Sequence, residues 1–494
     1  MIHHPKFFFC ACLFYWASIQ VLNAQMIVGA DTLYGNEWIR YSNAYLRIKV
    51  AADGMYRANG AQLAAAGIAA GTTGADLRLY RNGKQVPIFT TTEGVIGDQD
   101  FIEFWGQRNR DEVDQFLFTD AAAENVNPWY SLTNDTTTYF LTWQDGSAPL
   151  RYASIINDLS NVPVKTPWCW FTNLQYFTNA YYKRNIGTEI RFSFYNGDGY
   201  AKAKAAETLL DIPLTEQFAA GPDAQLSLRA AHDLGDHNLE LRLNDSLFYT
   251  QTFNDFKIVS PTVQVPLSLP NGLLKIKLKS IANADDRHIL SGVSLRYPRN
   301  LNFPAATLTE FDLDATTTGN YLEINGFAPN NGIPIVLDQT NLQRLEAIFD
   351  AGVLKVFLPA SNQPRHIVVF STAAVKTPVL AGTLQFRNFT QEDANYILIS
   401  TKRLTSDPLA SGANHLKAYA DYRASAAGGA YKTTVVDIEE LYAQFAYGAR
   451  FHPISIKNFC HYIKKTWTNP EYVLLVGKGL DHNTFRTSAQ QNIL

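Results

Sequence analysis

Cysteine is scarce in this chain, with four residues in 494. Two of them, Cys10 and Cys12, lie in an amino-terminal stretch expected to be removed, which leaves Cys169 and Cys460. That count excludes a disulfide-stapled scaffold, although an exported compartment would permit a bond. Charge is sparse too: charged residues make up 18% of the chain, against a usual share of about a quarter. A net charge of −3 gives no argument for a nucleic-acid partner or an anionic membrane surface. The one long apolar stretch, from Phe7 to Leu22, is shorter than the ~20 residues of a spanning helix. Internal repeats, low-complexity tracts and long Gly/Ser linkers are missing as well, so the domain boundaries are soft.

Hydrophobic residues are plentiful, at 46% with 13% aromatic, enough for proper cores. The length suits several domains. Lys6 precedes the apolar stretch and Asn23-Ala24 follows it, the pattern of a secretory signal peptide cleaved after Ala24. Strand-like sequence comes next. Asp53-Gly54, between Arg47–Val50 and Met55–Arg57, predicts a hairpin turn, and so does Asn82-Gly83 between alternating runs. Phe101 to Trp105 reads as an aromatic strand. The loop after it carries Asp111, Glu112 and Asp114, whose spacing departs from a calcium loop, so a solvated turn is expected. Beyond residue 151, Leu239–Leu243 and Leu274–Leu278 alternate with period two, as in a sandwich. Between such strands, AHDLGDHN offers His232, Asp233, Asp236 and His237, yet Gly235-Asp236 also spells a hairpin loop, and no three-ligand pattern is visible. A third β stretch, 301–392, contains LKVFLPA and RHIVVFS.

The last hundred residues change period. Tyr396–Ile399 is a continuous apolar run, the mark of a parallel strand buried on both faces. A helix over 414–426 ends at Gly428-Gly429, and β-branched Thr433–Val436 forms the second strand. Ile438, Leu441, Tyr442 and Phe445 give one helix face, closed by Gly448. A further helix begins near Pro453 and carries Ile456, Phe459, Cys460, Ile463 and Trp467 on one stripe. Tyr472–Val476 is expected to be a third buried strand, with Gly477-Lys478-Gly479 at its mouth, where an α/β layer places its chemistry. Cys460 and His461 are adjacent, but neighbours on a helix point about 100° apart and do not face each other. Cys460 therefore reads as a small core hydrophobe, as does Cys169, and His482 as a loop histidine.

The run ADYRASAAGGAYKTTVVDIEELYAQFAYG, then ISIKNFCHYI and PEYVLLVGKG, resembles the opening of a gingipain-type cysteine peptidase domain. YLRIKVAADGMYRANGAQLAAAGI, LRLYRNGKQVPIF, DFIEFWGQRNRDEVD and NPWYSLTNDTTTYFLTW resemble the β-rich leader of the type IX secretion system sortases within that family. The resemblance implies a caspase-like α/β fold and a catalytic His followed by a nucleophilic Cys, both after later strands than those present. No catalytic, cofactor-binding or metal-binding residue is assigned. Lys478 stands where many family members have the Asp of Val-Gly-Asp-Gly.

The expected architecture is multidomain: a signal peptide (1–24), an N-terminal β domain (25–150), a β-sandwich (151–300), a β-rich domain (301–392) and a truncated gingipain-like α/β domain (393–494). Two functions follow. The first is the amino-terminal portion of an exported cysteine peptidase that removes carboxy-terminal sorting signals from secreted cargo, working with outer-membrane secretion components at the periplasm, outer membrane or cell surface of a Gram-negative bacterium. The second is a non-catalytic exported scaffold with a degenerate peptidase domain. A sugar-binding β protein is a lesser alternative, since 25 Tyr and 30 Phe serve equally as core. The unpaired edge of a partial parallel sheet predicts that 393–494 is the least stable and most aggregation-prone part.

Overall fold

The computed structural model describes residues 26–28, 31–183, 197–268, 272–405, 414–480 and 486; the predicted leader, with Cys10 and Cys12, and His482 lie outside them. Among the described residues, helices longer than six residues occur only after residue 400, and everything before is mainly strand.

The amino-terminal strands form a three-stranded sheet and four strands of a five-stranded one that packs on it, with Val379–Gln385 as the fifth, at an edge. Asn82-Gly83 is a hairpin turn as expected: both residues have positive φ, 48° and 75°, and Leu79 pairs with Val86 across it. Asp53-Gly54 is not a hairpin. Ala44–Val50 pairs with Thr137–Thr142 in the larger sheet, whereas Gly54–Asn59 pairs with Phe101–Gly106 in the smaller one. The turn is a corner between layers, so Leu46, Ile48 and Val50 meet Tyr56 and Ala58 in the core between them. Period-two alternation says that a strand has one buried face; it does not say which strand lies beside it.

In the middle region, Glu207–Pro213, Leu273–Ser280, Asp236–Leu243 and Ser246–Asn254 form a four-stranded sheet. Its alternating leucines are in register, Leu241 opposite Leu278 and Leu243 opposite Ile276. They pack on Leu226, Leu228, Val293 and Leu295 of the facing sheet. That facing sheet is ten-stranded and runs through the expected boundary at residue 300. Cys169–Tyr176 links its halves, pairing along its length with His288–Arg299 and at one position, Trp170 opposite Asp312, with Leu308–Leu313. Two separate cores, one within 212–297 and one built from Cys169 and residues 301–369, thus share one sheet. Val379–Gln385 then returns to pair with Ala44–Val50.

The carboxy-terminal segment is a parallel sheet with Tyr396–Ser400 at its centre, Thr433–Asp437 on one side and Tyr472–Val476 on the other. Alternate side chains of the central strand feed opposite layers. Leu398 meets Leu416 and Ala420 of helix His415–Ala424 on one face. Ile397 and Ile399 meet Leu441, Phe445, Phe459 and Ile463 of helices Ile438–Phe445 and Ile454–Thr466 on the other. The side chains of Asn414 and Asp437 cap the first two of these helices. Tyr472–Val476 differs from its expected burial. It is an edge strand, with Tyr472, Val473 and Leu475 exposed by 49, 41 and 49%, because its one partner among the described residues is the central strand.

Candidate functional site

The carboxyl ends of the three parallel strands bring together Ser400, Asp437 and the turn Gly477-Lys478. Ser400 Oγ donates to the Val476 carbonyl at 2.9 Å, tying the central strand to the edge strand. Lys402 Nζ lies 3.7 Å from an Asp437 carboxylate oxygen, and Lys478 is exposed.

Neither described cysteine is poised for attack. Cys169 is core, and burial pushes its thiol up to about 12. Burial also raises the Cys460 thiol on its helix. Burial, with Lys457 and Lys464 nearby, lowers His461. A thiolate–imidazolium pair needs the reverse of both shifts. Of the expected stripe, Phe459, Ile463 and Trp467 are buried and Ile456 packs on their cluster half-buried; Tyr462 joins them, and Cys460 is half-buried outside that cluster.

The expected solvated loop at 111–114 is a buried joint. Asp114 Oδ2 accepts from Leu132 N at 2.6 Å, and its Oδ1 accepts from Ser131 Oγ at 3.1 Å and faces His452 Nε2 at 2.9 Å. His452 Nδ1 in turn accepts from Ile454 N at 3.2 Å, which leaves the proton on Nε2, facing the carboxylate. No local spacing points to this pair, whose members are 338 residues apart. Around it Val113, Leu117 and Leu132 of the N-terminal domain pack on Ala446, Tyr447, Ala449 and Ile454. Thr138 Oγ1 donates to the Gly448 carbonyl and Asn134 to that of Arg450. Glu112 pairs with Arg81, while Asp111 accepts from Asn125 and is pushed up to about 7 by burial and by Asp114 and Glu112. Beside this joint, Lys49, Tyr56, Asn134, Thr377, Arg450 and Phe451 line a cleft of about 520 Å³. Burial lowers Lys49 there to about 8, and its Nζ donates to Thr138 Oγ1 at 2.6 Å.

Of the four candidates in AHDLGDHN, His232 and His237 come together, and Asp233 and Asp236 do not join them. The Asp233 carboxylate holds Tyr182 and Lys204, and Asp236 accepts from Asn254. The third member beside the histidines is Asp286, about fifty residues later, which no local spacing signalled.

Comparison with known proteins bears on the carboxy-terminal segment and on the frame. Residues 389–493 match the model of peptidase family C25. The chain is similar to dimeric latent PorU of Porphyromonas gingivalis, at 14% identity and a TM-score of 0.56, over 91% of this chain and 43% of that one. It therefore spans less than half of that chain's length. A CBM36-1 domain of a xylanase from the hindgut metagenome of Trinervitermes trinervoides aligns over 25% of this chain and 96% of its own, with 12% identity and a TM-score of 0.17. No curated protein matches the sequence. The carboxy-terminal segment is thus similar to peptidase family C25, on a mainly β, multidomain body whose fold is similar to that of PorU.

Proposed function

We propose that this chain is the amino-terminal portion of a PorU-like cysteine peptidase, exported to the cell envelope, that removes carboxy-terminal sorting signals from secreted cargo. The observation that carries the reading is the C25 match at 389–493, seated on a frame similar to latent PorU over 91% of the chain. In the complete enzyme a Cys thiolate attacks the carbonyl carbon of the sorting junction. A His hands its proton to the departing amine, and the thioester that remains is resolved by water or by another amine. The β domains, locked to the α/β layer through Asp114 and His452, hold cargo or dock to secretion components. No helix among the described residues is long and apolar enough to cross a membrane.

Lys478 favours a second reading, a non-catalytic scaffold. It is exposed at the strand mouth, where an ammonium repels the basic side chains that an Asp there would attract. The test is to incubate the complete gene product with cargo bearing a sorting signal, with and without an active-site-directed thiol reagent. Loss of the signal, blocked by the reagent, is expected. Intact cargo together with background labelling would leave the scaffold reading.

A further inference from the structure

His232, His237 and Asp286 are brought together from three places in the sandwich. His232 ends strand Ala224–His232 of the ten-stranded sheet, His237 opens strand Asp236–Leu243 of the four-stranded sheet, and Asp286 sits in the loop that crosses between the two. One ligand atom from each lies within 4.8 Å of the others. All three residues are buried, with exposures of 1, 4 and 2%.

The surrounding bonds matter more than the proximity. His237 Nε2 lies 3.0 Å from the Asp233 carbonyl, an acceptor, so the ring donates there. Its other nitrogen, Nδ1, then turns a lone pair to Asp286 Oδ1 at 2.7 Å. Two lone pairs that face each other need a positive charge between them: a proton at 2.7 Å, or a metal ion once the two atoms part to the roughly 3.3 Å that bonds of about 2 Å span in a tetrahedral site. Asp286 Oδ2 is already held by the backbone N–H groups of Asn238 and Ala282, each at 3.1 Å, which leaves Oδ1 for that charge. His232 Nε2 faces Ser280 Oγ at 3.3 Å, and its Nδ1 has no hydrogen-bond partner. Ser280 continues to His288 Nδ1 at 2.9 Å, and His288 Nε2 to Thr208 Oγ1 at 2.9 Å. Donation can run along this chain in either direction; running outward, from His232 to Ser280 to His288 to Thr208, it satisfies every link and leaves the His232 Nδ1 lone pair bare for an ion.

A proton between His237 and Asp286 would mend that one contact and leave His232 Nδ1 orphaned. A metal ion answers all three at once. The arrangement also has the outer support that metal sites use, in which each ligand's remaining polar atom is fixed by a carbonyl, a backbone N–H or a hydroxyl. We propose that His232, His237 and Asp286 bind a zinc ion that clamps the two sheets of the sandwich together at one end. Two imidazoles and one carboxylate suit Zn²⁺, whereas Ca²⁺ takes oxygen ligands. Water completes the tetrahedron, and the burial of the ligands makes the ion structural.

The test uses the chain stripped with a chelator and titrated with ZnCl₂, followed by calorimetry and thermal melting, with CoCl₂ as a spectroscopic probe. One equivalent of zinc, a higher melting temperature and the intense visible bands of tetrahedral Co²⁺ are expected. Asp286→Asn keeps the size and the Oδ acceptor of the side chain, and should weaken zinc at least about tenfold. His288→Asn, outside the ligand set, should still bind one equivalent. Stoichiometry well below one in the wild type, melting that responds to CaCl₂ and not to ZnCl₂, or undiminished affinity in a folded Asp286→Asn would each overturn the proposal. The first two readings need no variant to fold, and none of them depends on peptidase activity.

Discussion

Asp111 and His366 pull the pH dependence of stability in ways that can be separated. Asp111 is a half-buried acid raised from 3.8 to about 7, so between those pH values the folded chain holds a proton that the unfolded chain has lost. Stability therefore falls as pH rises through that window. Asp111→Asn keeps an acceptor for Asn125 and removes the charge. At pH 8 it should stabilise by about 2 kcal/mol, allowing for partial exposure, and at pH 4 by almost nothing. Equal melting temperatures of mutant and wild type at pH 8 would contradict this. His366 runs on the base side of the same rule. Its Nδ1 lies 2.8 Å from Asp312 and its Nε2 3.1 Å from Glu310, and hydrogen bonds to those carboxylates, Asp312 first, raise it from 6.5 to about 9. A base with a raised pKa contributes in full below its unfolded value and loses that contribution as pH climbs through about 9. His366→Gln should therefore lower the melting temperature at pH 6 and leave it unchanged at pH 10. A uniform loss at both would point to packing instead.

Among the elements, the central strand Tyr396–Ser400 and the edge strand Tyr472–Val476 share one ladder but not one environment. The first is buried at every position and paired on both sides; the second shows three apolar side chains to solvent. Backbone amides of the edge strand should exchange at least about tenfold faster than those of the centre, in keeping with local opening at edges. Equal protection would mean that something covers that edge. The contrast also marks what the sequence could tell. Tyr396–Ile399 announced a doubly covered parallel strand because its apolar run is unbroken, and Asn82-Gly83 announced its turn because a two-residue turn needs positive φ. Tyr472–Val476 has the same apolar run, and nothing local reveals that its outer side is open. Asp53-Gly54 carried turn chemistry without a partner assignment, so a corner read as a hairpin. Asp114 with His452, and Asp286 with the two histidines, were invisible for a different reason. Each set meets only after distant strands have packed, and no periodicity records a contact hundreds or even tens of residues away.

For the whole molecule, the decisive feature is that the α/β layer is built onto the N-terminal β strands, so the stability of 393–494 depends on that joint. Gly448 shows how close the fit is: its φ is +79°, and an added Cβ would lie 2.6 Å from Thr138 Cβ. Gly448→Ala should cost about 2–3 kcal/mol through backbone strain and overlap at the joint. His452 is the stronger probe. Its side chain is fully buried against Asp114, and removing it leaves that carboxylate inside the joint with Ser131 and Leu132 as its remaining donors. Breaking a buried pair from one side costs about 3–5 kcal/mol when the other charge is stranded; here the surviving donors put the cost toward the lower end. His452→Ala should therefore loosen the joint rather than the β cores, since the sandwich core of 212–297 has no residue in it. Calorimetry should resolve a low-temperature transition that the wild type lacks. Hydrogen exchange should then assign it to 396–476 together with the loop at 111–117, while Leu239–Leu243 stays protected. A single transition displaced as a whole would mean that the layers unfold as one unit, and an unchanged melt would mean that the Asp114–His452 contact contributes nothing to their union.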